Sequence, residues 1–453
     1  MPDNGGATAD EHFPLDMRAD LPCGTFSGMA LTRRRLLTAT GAVAGGLALT
    51  SPWSAAGAAV SAPAQPLPAP GRSGIDHIIV VMMENRSFDH FAGWVPGADG
   101  RQTGQRFVDR YGVPHTSWHL TDFQGCDHPD PDHSYEGGRI QLNRGKCDGF
   151  LRSGENDPFA IGYYTAADLD FWRQASADWT VCDRYFAATM AETYPNRFYQ
   201  HAARTDRLHN STVTSTLPTI WDRLAAKGLT GRYYFSDIPF TALWGTKYLG
   251  ISAPVERFLA DCASGNLPEV SFVDPRFEDE GSGTSGDDHP HGDVRSGEQF
   301  LAQIYNAVVT SPAWERTLLV VTYDEWGGFY DHVAPQQAPD ADPTTALRGF
   351  RVPALVVSPR ARRAAVAHSV YDHTSVLRTI EWRWGLAPLT ARDSAARNLA
   401  EVLDFTAPLR RRPPTYSVRP SPTGPPCQAA LAESAEEWEP LRQKAIAAGW
   451  TLP

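Results

Sequence analysis

The clearest pattern along the chain is a set of apolar runs separated by polar, glycine-rich segments. Three runs are almost continuously apolar, at residues 75–83, 317–325 and 352–359. Shorter apolar runs lie at 232–237 and 269–275. Continuous apolar runs of this length are typical of strands that are covered on both faces.

Other segments have helical spacing. Phe300, Ile304 and Val308 recur every four residues on one face of a predicted helix, and a second helical pattern covers 167–188. Strands that alternate with helices predict an α/β fold with a central, mainly parallel sheet. Residues 97–160 are rich in Gly, Asp, His and Pro, which favours long loops.

Polar side chains follow the predicted strands abruptly. Glu84 and Asn85 end the first run, Asp324 and Glu325 end the run that begins at 317, and Asp274 ends a shorter one. Ligands of open α/β sheets bind at the carboxyl ends of the strands. Carboxylate and amide oxygens suit a hard or borderline divalent cation. A single acid of this kind would be interpreted as a loop cap, but the two pairs together predict a metal site.

A third candidate segment begins at Thr193, two residues before Pro195. Proline favours the first turn of a helix, and a threonine before it is either a plain N-cap or a hydroxyl placed at the positive end of the helix. Next to a metal, such a hydroxyl is a candidate nucleophile towards phosphorus. Asn196 and Arg197 then hold phosphate oxygens or, alternatively, bond to the backbone of the loop.

Histidines are concentrated in predicted loops that also contain acids and glycines. Such a group of histidines suits a site that must protonate a leaving alkoxide, although a single loop histidine is more often exposed or structural. The candidates are His128, His133, His289, His291 and His332.

The two ends of the chain differ from the middle. Residues 1–58 contain a run of arginines at 33–35, a short apolar stretch and then small residues, a pattern that resembles a twin-arginine export signal. Residues 59–73 form a Pro/Ala linker, and 407–453 a Pro-rich linker with one short amphipathic helix. The main domain is predicted at 74–406.

Composition narrows the range of functions. The chain has 453 residues and a formal net charge of −11, without basic runs in the main domain. Nucleic-acid binding is therefore not expected, because phosphate neutralisation needs clustered Lys and Arg. Outside the cell, disulfides are possible. The expected pairs are Cys126–Cys147 and Cys182–Cys262.

Four segments together resemble the bacterial phosphoesterase family, which includes phospholipases C and acid phosphatases. The segments are HIIVVMMENRSFDHF, TYPNRFY, DDHPHGDVRSGEQF and VTYDEWGGFYDHV, in the family's order between about residues 75 and 385. The resemblance implies an alkaline-phosphatase-like three-layer sandwich with a central, mainly parallel sheet and long active-site loops. It also makes 74–406 the phosphoesterase catalytic domain.

The resemblance assigns roles residue by residue. The implied metal ligands are Glu84, Asn85, Thr193, Asp324 and Glu325. The implied catalytic residues are the nucleophile Thr193 and His289, which protonates the leaving group or contacts phosphate. His133 and His332 match further histidines near the substrate. Glu192 and Tyr194, which flank Thr193, depart from the residues that phospholipase members more often carry there, so the substrate pocket is expected to differ.

We therefore expect a secreted hydrolase of phosphoric esters that depends on one or more divalent metal ions (Ca, Mg, Mn or Zn). A phospholipase C with transient contact to a membrane surface is the first expectation, and a monomer is expected. An acid phosphatase or broad phosphodiesterase is the alternative. A protein that binds metal or lipid without catalysis is the second alternative.

Overall fold

The computed structural model describes residues 66–279, 282–421, 427 and 438–453. The predicted export signal and the first half of the Pro/Ala linker lie outside the described residues. The strands are β1 (His77–Met83), β2 (Arg106–Val108), β3 (Pro114–Thr116), β4 (Trp118–His119), β5 (Gly162–Tyr163), β6 (Thr180–Cys182), β7 (Tyr185–Phe186), β8 (Gly231–Phe235), β9 (Ser252–Pro254), β10 (Val270–Val273), β11 (Thr317–Tyr323), β12 (Ala354–Val357), β13 (Ala365–Ala367) and β14 (Tyr371–Asp372).

Eight strands form the central sheet in the order β13-β6-β12-β11-β1-β10-β8-β9. Strand β12 runs antiparallel to both of its neighbours, and all the other pairs in this sheet are parallel. The central strands β1, β10 and β11 are buried along almost their whole length, as their continuous apolar sequences predict. The prediction of a central, mainly parallel sheet is confirmed.

The helices are α1 (Phe88–Ala92), α2 (Tyr135–Leu142), α3 (Asp170–Asp178), α4 (Thr193–Ala202), α5 (Ile220–Ala226), α6 (Val255–Ser264), α7 (Val294–Thr310), α8 (His373–Trp384), α9 (Ala391–Ala395) and α10 (Glu439–Ala447). Helices α3 and α6 pack on α7, whereas α5 packs on α4, which in turn packs on α8. These two groups form the outer layers of an α/β sandwich around the sheet. None of the helices in the described part of the chain is long and apolar enough to cross a membrane.

Register brings the polar strand ends together. Met83 of β1 lies beside Tyr323 of β11, so the next residues, Glu84 and Asp324, leave the sheet at the same level. The amide of Asp324 donates to the Met83 carbonyl at 3.0 Å, which extends this pairing past the last strand residue. On the other side of β1, the pairing with β10 ends just before Asp274. Three strands that are distant in sequence thus bring acids together at the carboxyl end of the sheet.

The cysteine pairing predicted from the sequence is wrong. Cys126 forms a disulfide with Cys427 across 301 residues, and Cys147, Cys182 and Cys262 are free and buried. Cys182 ends β6 near one edge of the sheet, whereas Cys262 lies in α6, which packs near β8 and β9 at the other edge. The sheet topology therefore keeps the thiols of Cys182 and Cys262 apart.

The segment after the Pro-rich region returns to the main domain. Trp438, next to α10, is buried, and its ring stacks on Phe277 with centroids 3.9 Å apart. Leu441 and Ala445, one helical turn apart in α10, are also buried. The C-terminal helix is thus part of the same core, and the disulfide at Cys427 ties the preceding segment to it.

Candidate active site

The two residue pairs at the strand ends form the floor of the candidate site. Glu84, Asn85, Asp324 and Glu325 are all fully buried. Asn85 has a left-handed backbone with φ of 58°. A Cβ on Gly327 would lie 2.1 Å from the Asn85 carbonyl oxygen, so glycine is required there for the two strand ends to approach each other. The sequence predicted this convergence, and the structure confirms that the four residues are brought together.

Arg197 lies among the carboxylates. Its guanidinium is 2.9 Å from Glu84, 3.3 Å from Asp274 and 3.3 Å from Asp324. Burial alone would lower the pKa of Arg197, but the three carboxylates outweigh it and raise that pKa above its ordinary value. Burial in turn raises the pKa of Asp274, although the charge of Arg197 opposes this. Arg197 therefore neutralises the acids at this edge, and its predicted contact with phosphate stays a prediction.

Thr193 is the first residue of α4, and Glu192 is the N-cap. The hydroxyl of Thr193 is buried and lies 3.5 Å from the side-chain oxygen of Asn85. The Glu192 carboxylate accepts from the amide of Asn210 and lies 2.8 Å from His209. The interpretation of Thr193 as a plain N-cap is therefore wrong, because Glu192 occupies that position and leaves the hydroxyl facing Asn85.

Asn196 bonds to the backbone of its loop, which is the alternative to phosphate binding that the sequence left open. Its side-chain oxygen accepts from the amide of Thr189 at 2.9 Å, and its NH₂ donates to the carbonyls of Ala191 and Glu192 at 2.7 and 3.1 Å. Asn196 thus fixes the loop that leads into α4 and so holds Thr193 in place. A role in phosphate binding is not tested and stays a prediction.

Two of the predicted histidines converge near Glu325. The ring centroids of His133 and His289 are 5.8 Å apart, and Asp130 lies beside both, at 3.7 Å from His133 and 3.9 Å from His289. Burial raises the pKa of Glu325 well above its ordinary range, while the charges of His133 and His289 lower it. Sequence analysis missed Asp130, although the repeated acids around His128 and His133 were a signal for it.

His332 belongs to a different network. Its Nδ1 lies 2.5 Å from Asp89 and its Nε2 3.2 Å from Asp99, and Arg351 contacts Asp89 at 3.1 Å. Burial lowers the pKa of His332, but the hydrogen bond and the charge of Asp89 outweigh it and raise that pKa. The structure therefore does not place His332 among the strand-end carboxylates. Its assignment to the substrate stays a prediction.

The remaining loop histidines also have structural partners. His128 lies 2.7 Å from Asp157, and the ring of His291 bonds to the backbone carbonyl of His128 at 2.8 Å. These contacts join the two histidine-rich loops to each other. By joining the two loops, these contacts hold His289 next to His133.

Residues directly after β1 brace the site. Arg86 donates to the carbonyl of Asp288 at 2.7 Å, and the amide of Glu84 donates to the carbonyl of Asp287 at 2.7 Å. Tyr323 donates its hydroxyl to the carboxylate of Asp288 at 2.6 Å. Burial raises the pKa of Asp288 to about 7. The loop that carries His289 is therefore anchored on β1 and β11.

The donor set fits a divalent cation. Glu325 Oε1 is a buried carboxylate oxygen without a hydrogen-bond partner among the described residues. Carboxylate, amide and hydroxyl oxygens from Glu84, Asn85, Thr193, Asp324 and Glu325 are the ligands that Mg²⁺, Ca²⁺ and Mn²⁺ accept, and Zn²⁺ also binds carboxylates. Asp130, His133 and His289 lie close enough together to share a second cation.

Comparison with known proteins shows the family of the chain. Residues 75–387 match the model of the phosphoesterase family. The chain is 30% identical over 416 residues to non-specific phospholipase C6 of Arabidopsis thaliana, covering 80% of this chain and 79% of the relative. It is also 30% identical over 427 residues to phospholipase C B of Mycobacterium tuberculosis, covering 75% of this chain and 80% of the relative.

Solved structures give a weaker similarity. The phosphonate monoester hydrolase of Agrobacterium radiobacter matches with a TM-score of 0.35 and 11% identity, over 74% of this chain and 78% of that one. A protein of the alkaline phosphatase superfamily from Vibrio parahaemolyticus matches with a TM-score of 0.33 and 10% identity, over 78% and 90%. The family match spans the strand ends, α4 and the histidine loops. The chain belongs to the phosphoesterase family and is a hydrolase that acts on phosphoric ester bonds.

Proposed function

We propose that the protein is an exported, metal-dependent phospholipase C that uses Thr193 as its nucleophile. The observation that carries the proposal is the buried Thr193 hydroxyl, 3.5 Å from Asn85 at the edge where three strands deliver acids. The names of the relatives favour phospholipase C over acid phosphatase, which remains the alternative substrate class. Because the family consists of hydrolases, we set aside the alternative of a binding protein without catalysis.

Glu84, Asn85, Thr193, Asp324 and Glu325 would hold the metal. When bound, a divalent ion supplies charge neutralisation at the phosphate oxygens and a lower pKa for a neighbouring hydroxyl.

The chain's own residues carry the two displacements. Thr193 Oγ1, after losing its proton to solvent, forms a bond to phosphorus, and the bond from phosphorus to the diacylglycerol oxygen breaks. His289 donates a proton to that leaving oxygen. A water molecule then attacks phosphorus and gives a proton to His289, and the bond from phosphorus to Thr193 Oγ1 breaks. Oγ1 takes a proton back from solvent, so the phospho-headgroup leaves and Thr193 is regenerated. The carboxylate of Asp130 lies 3.9 Å from Nε2 of His289.

The arrangement around α4 supports this order of events. The helix begins at Thr193, so its positive end faces the phosphate position. Asn196 fixes the preceding loop through three backbone hydrogen bonds, which limits the movement of the hydroxyl. Positioning of this kind contributes to rate because the attacking oxygen is already close to its target.

The deciding experiment compares Thr193→Ala and Thr193→Ser with the wild type on phosphatidylcholine, p-nitrophenylphosphorylcholine and p-nitrophenyl phosphate. We expect Thr193→Ala to keep its fold, to bind metal still through the other four ligands and to lose about a thousandfold or more in kcat, whereas Thr193→Ser keeps measurable turnover. Quenched turnover followed by mass spectrometry should find phosphocholine on residue 193 with the two choline diesters, and phosphate with p-nitrophenyl phosphate. Wild-type activity in Thr193→Ala would refute the nucleophile assignment.

The same assay separates the substrate classes. Preference for the two diesters supports phospholipase C, whereas preference for p-nitrophenyl phosphate supports the phosphatase alternative. Export is tested separately with residues 1–58 fused to a folded reporter. Replacing the arginines at 33–35 by lysine should keep that reporter inside the cell, and continued export would exclude the twin-arginine route.

A further inference from the structure

The β2–β3 hairpin exposes an unusual share of the apolar surface. Seven large apolar side chains are exposed among the described residues, and three of them belong to this hairpin. Tyr111 at its tip is 83% exposed, Val113 is 50% exposed and Val108 is 43% exposed. Single exposed apolar residues are normal on a protein surface, but three within six positions of one turn form a patch.

The hairpin holds this patch rigidly. The carboxylate of Asp109 accepts from the amides of Tyr111 and Val113 at 2.9 and 2.8 Å, and the amide of Gly112 donates to the Asp109 carbonyl. Side chains alternate along β2, so Phe107 points inward and Val108 outward. The tip therefore keeps its shape without being covered by other described parts of the chain.

Phe107 attaches the hairpin to the catalytic segment. Its ring packs against Tyr330 and Phe150, with centroids 5.2 and 6.1 Å apart. Tyr330 follows Glu325 by five positions, and Trp326 belongs to the same buried cluster as Phe107. The hairpin therefore packs against the chain segment that follows Glu325.

Cations surround the base of the hairpin. Arg101, Arg106 and Lys146 are exposed and line a cavity of about 170 Å³ together with His332 and Tyr330. None of the three cations forms an ion pair with an acid in the described part of the chain, in a protein whose net charge is −11. The Tyr330 hydroxyl is buried in the cavity wall and lacks a hydrogen-bond partner among the described residues.

The acids nearby are already engaged. Asp109 bonds to the turn and to His115 at 2.9 Å, Glu155 pairs with Arg110, and Asp148 pairs with Arg152. The outward side of the hairpin and its base therefore combine apolar groups with unpaired positive charge.

We propose that the β2–β3 hairpin docks the protein on an anionic lipid surface. Tyr111, Val113 and Val108 enter the boundary between headgroups and acyl chains, while Arg106 and Lys146 bind lipid phosphates. Interfacial binding requires apolar side chains that become buried in the membrane, together with cations that bind anionic lipids. The inference rests on the proposed phospholipase function for its biological use, but the binding itself is measured without turnover.

The test measures sedimentation of the full chain with vesicles, on the Thr193→Ala background so that no lipid is consumed. We expect binding to phosphatidylcholine vesicles that contain phosphatidylglycerol, and about tenfold weaker binding after Tyr111→Ser with Val113→Ser. Arg106→Gln with Lys146→Gln should remove the preference for phosphatidylglycerol. The matched control is Val213→Ser, which removes an apolar side chain that is 72% exposed outside the hairpin and should leave binding unchanged.

A second measurement separates docking from folding and from catalysis. The hairpin variants in the wild-type background should hydrolyse p-nitrophenylphosphorylcholine at the wild-type rate and lose activity on vesicles. Unchanged vesicle binding in both hairpin variants, or absence of binding by the parent chain, would overturn the docking proposal. If no ester is hydrolysed by any form, the proposed function fails while the sedimentation result still decides the docking surface.

Discussion

Arg197 contacts Glu84 at 2.9 Å in the interior of the protein, where both side chains are almost completely buried. The same guanidinium reaches Asp274 and Asp324, and its planar face lies 4.7 Å from the ring of Phe277. Trp438 from the C-terminal segment stacks on Phe277, and its ring centroid lies 5.9 Å from the same guanidinium. One cation thus connects the metal-ligand candidates on β1 and β11 with the tail of the chain.

Removing this cation should destabilise the protein strongly. Arg197→Met leaves three buried carboxylates without their counter-charge, and we expect a loss of about 3–5 kcal/mol in the free energy of unfolding. Urea denaturation in the presence of a chelator measures it. The control Arg316→Met removes an exposed ion pair with Asp76 and should cost less than about 1 kcal/mol. Equal effects of the two substitutions would contradict the proposed role of Arg197.

Gly327 should tolerate no side chain. In Gly327→Ala the new Cβ would overlap the Asn85 carbonyl at 2.1 Å, and φ is +62°. We expect lower stability and a large loss of activity, because the strand ends must separate. Gly104→Ala is the matched control, since it has a φ of +73° and open space around it, and should cost about 1–2 kcal/mol without affecting turnover. Measuring both thermal unfolding and kcat distinguishes the two substitutions.

The disulfide between Cys126 and Cys427 should stabilise the attachment of the tail. It closes a loop across 301 residues, so Cys427→Ser should lower the free energy of unfolding by about 2–4 kcal/mol. Cys126→Ser should have the same effect, and the double variant should be no worse than either single one. Denaturation with and without reductant provides the measurement. Fully additive losses would show that the two cysteines do not act as a pair.

His332 should make the free energy of unfolding decrease as the pH rises above the ordinary pKa of histidine. Its folded pKa lies above its ordinary value because Asp89 outweighs burial, so its contribution is complete below the unfolded pKa near 6.5 and is lost as the pH rises through the folded pKa. The midpoint temperature of thermal unfolding should therefore fall more steeply for the wild type than for His332→Gln as the pH rises above about 6.5. Parallel curves for the two proteins would exclude this contribution.

Much of the architecture could be predicted because the central strands are buried on both faces. Their apolar sequences leave little ambiguity, and the polar residues after Met83 and Tyr323 mark where the strands end. For this reason the sequence predicts that four residues lie together, namely Glu84, Asn85, Asp324 and Glu325. It also predicts that Thr193 lies at the beginning of a helix. The roles of His133 and His289 followed from resemblance, and the structure brings the two rings to within 5.8 Å.

Other relationships depend on packing between segments that the sequence does not link. Asp130 joins the two histidines because separate loops fold onto each other, and His332 is held elsewhere by Asp89 and Asp99. The disulfide joins Cys126 to Cys427 rather than to Cys147, because the distance between thiols is set by the fold and not by sequence separation.

The sequence by itself determined which strands are buried and which polar groups end them, since both are local properties of the chain. Tertiary structure alone decided that Arg197 lies among the acids, that Trp438 stacks on Phe277, and that the hairpin presents Tyr111 outward. Each of these depends on the three-dimensional meeting of groups far apart in sequence. Their energies come from apolar and charged contacts between separate segments, which no local pattern encodes.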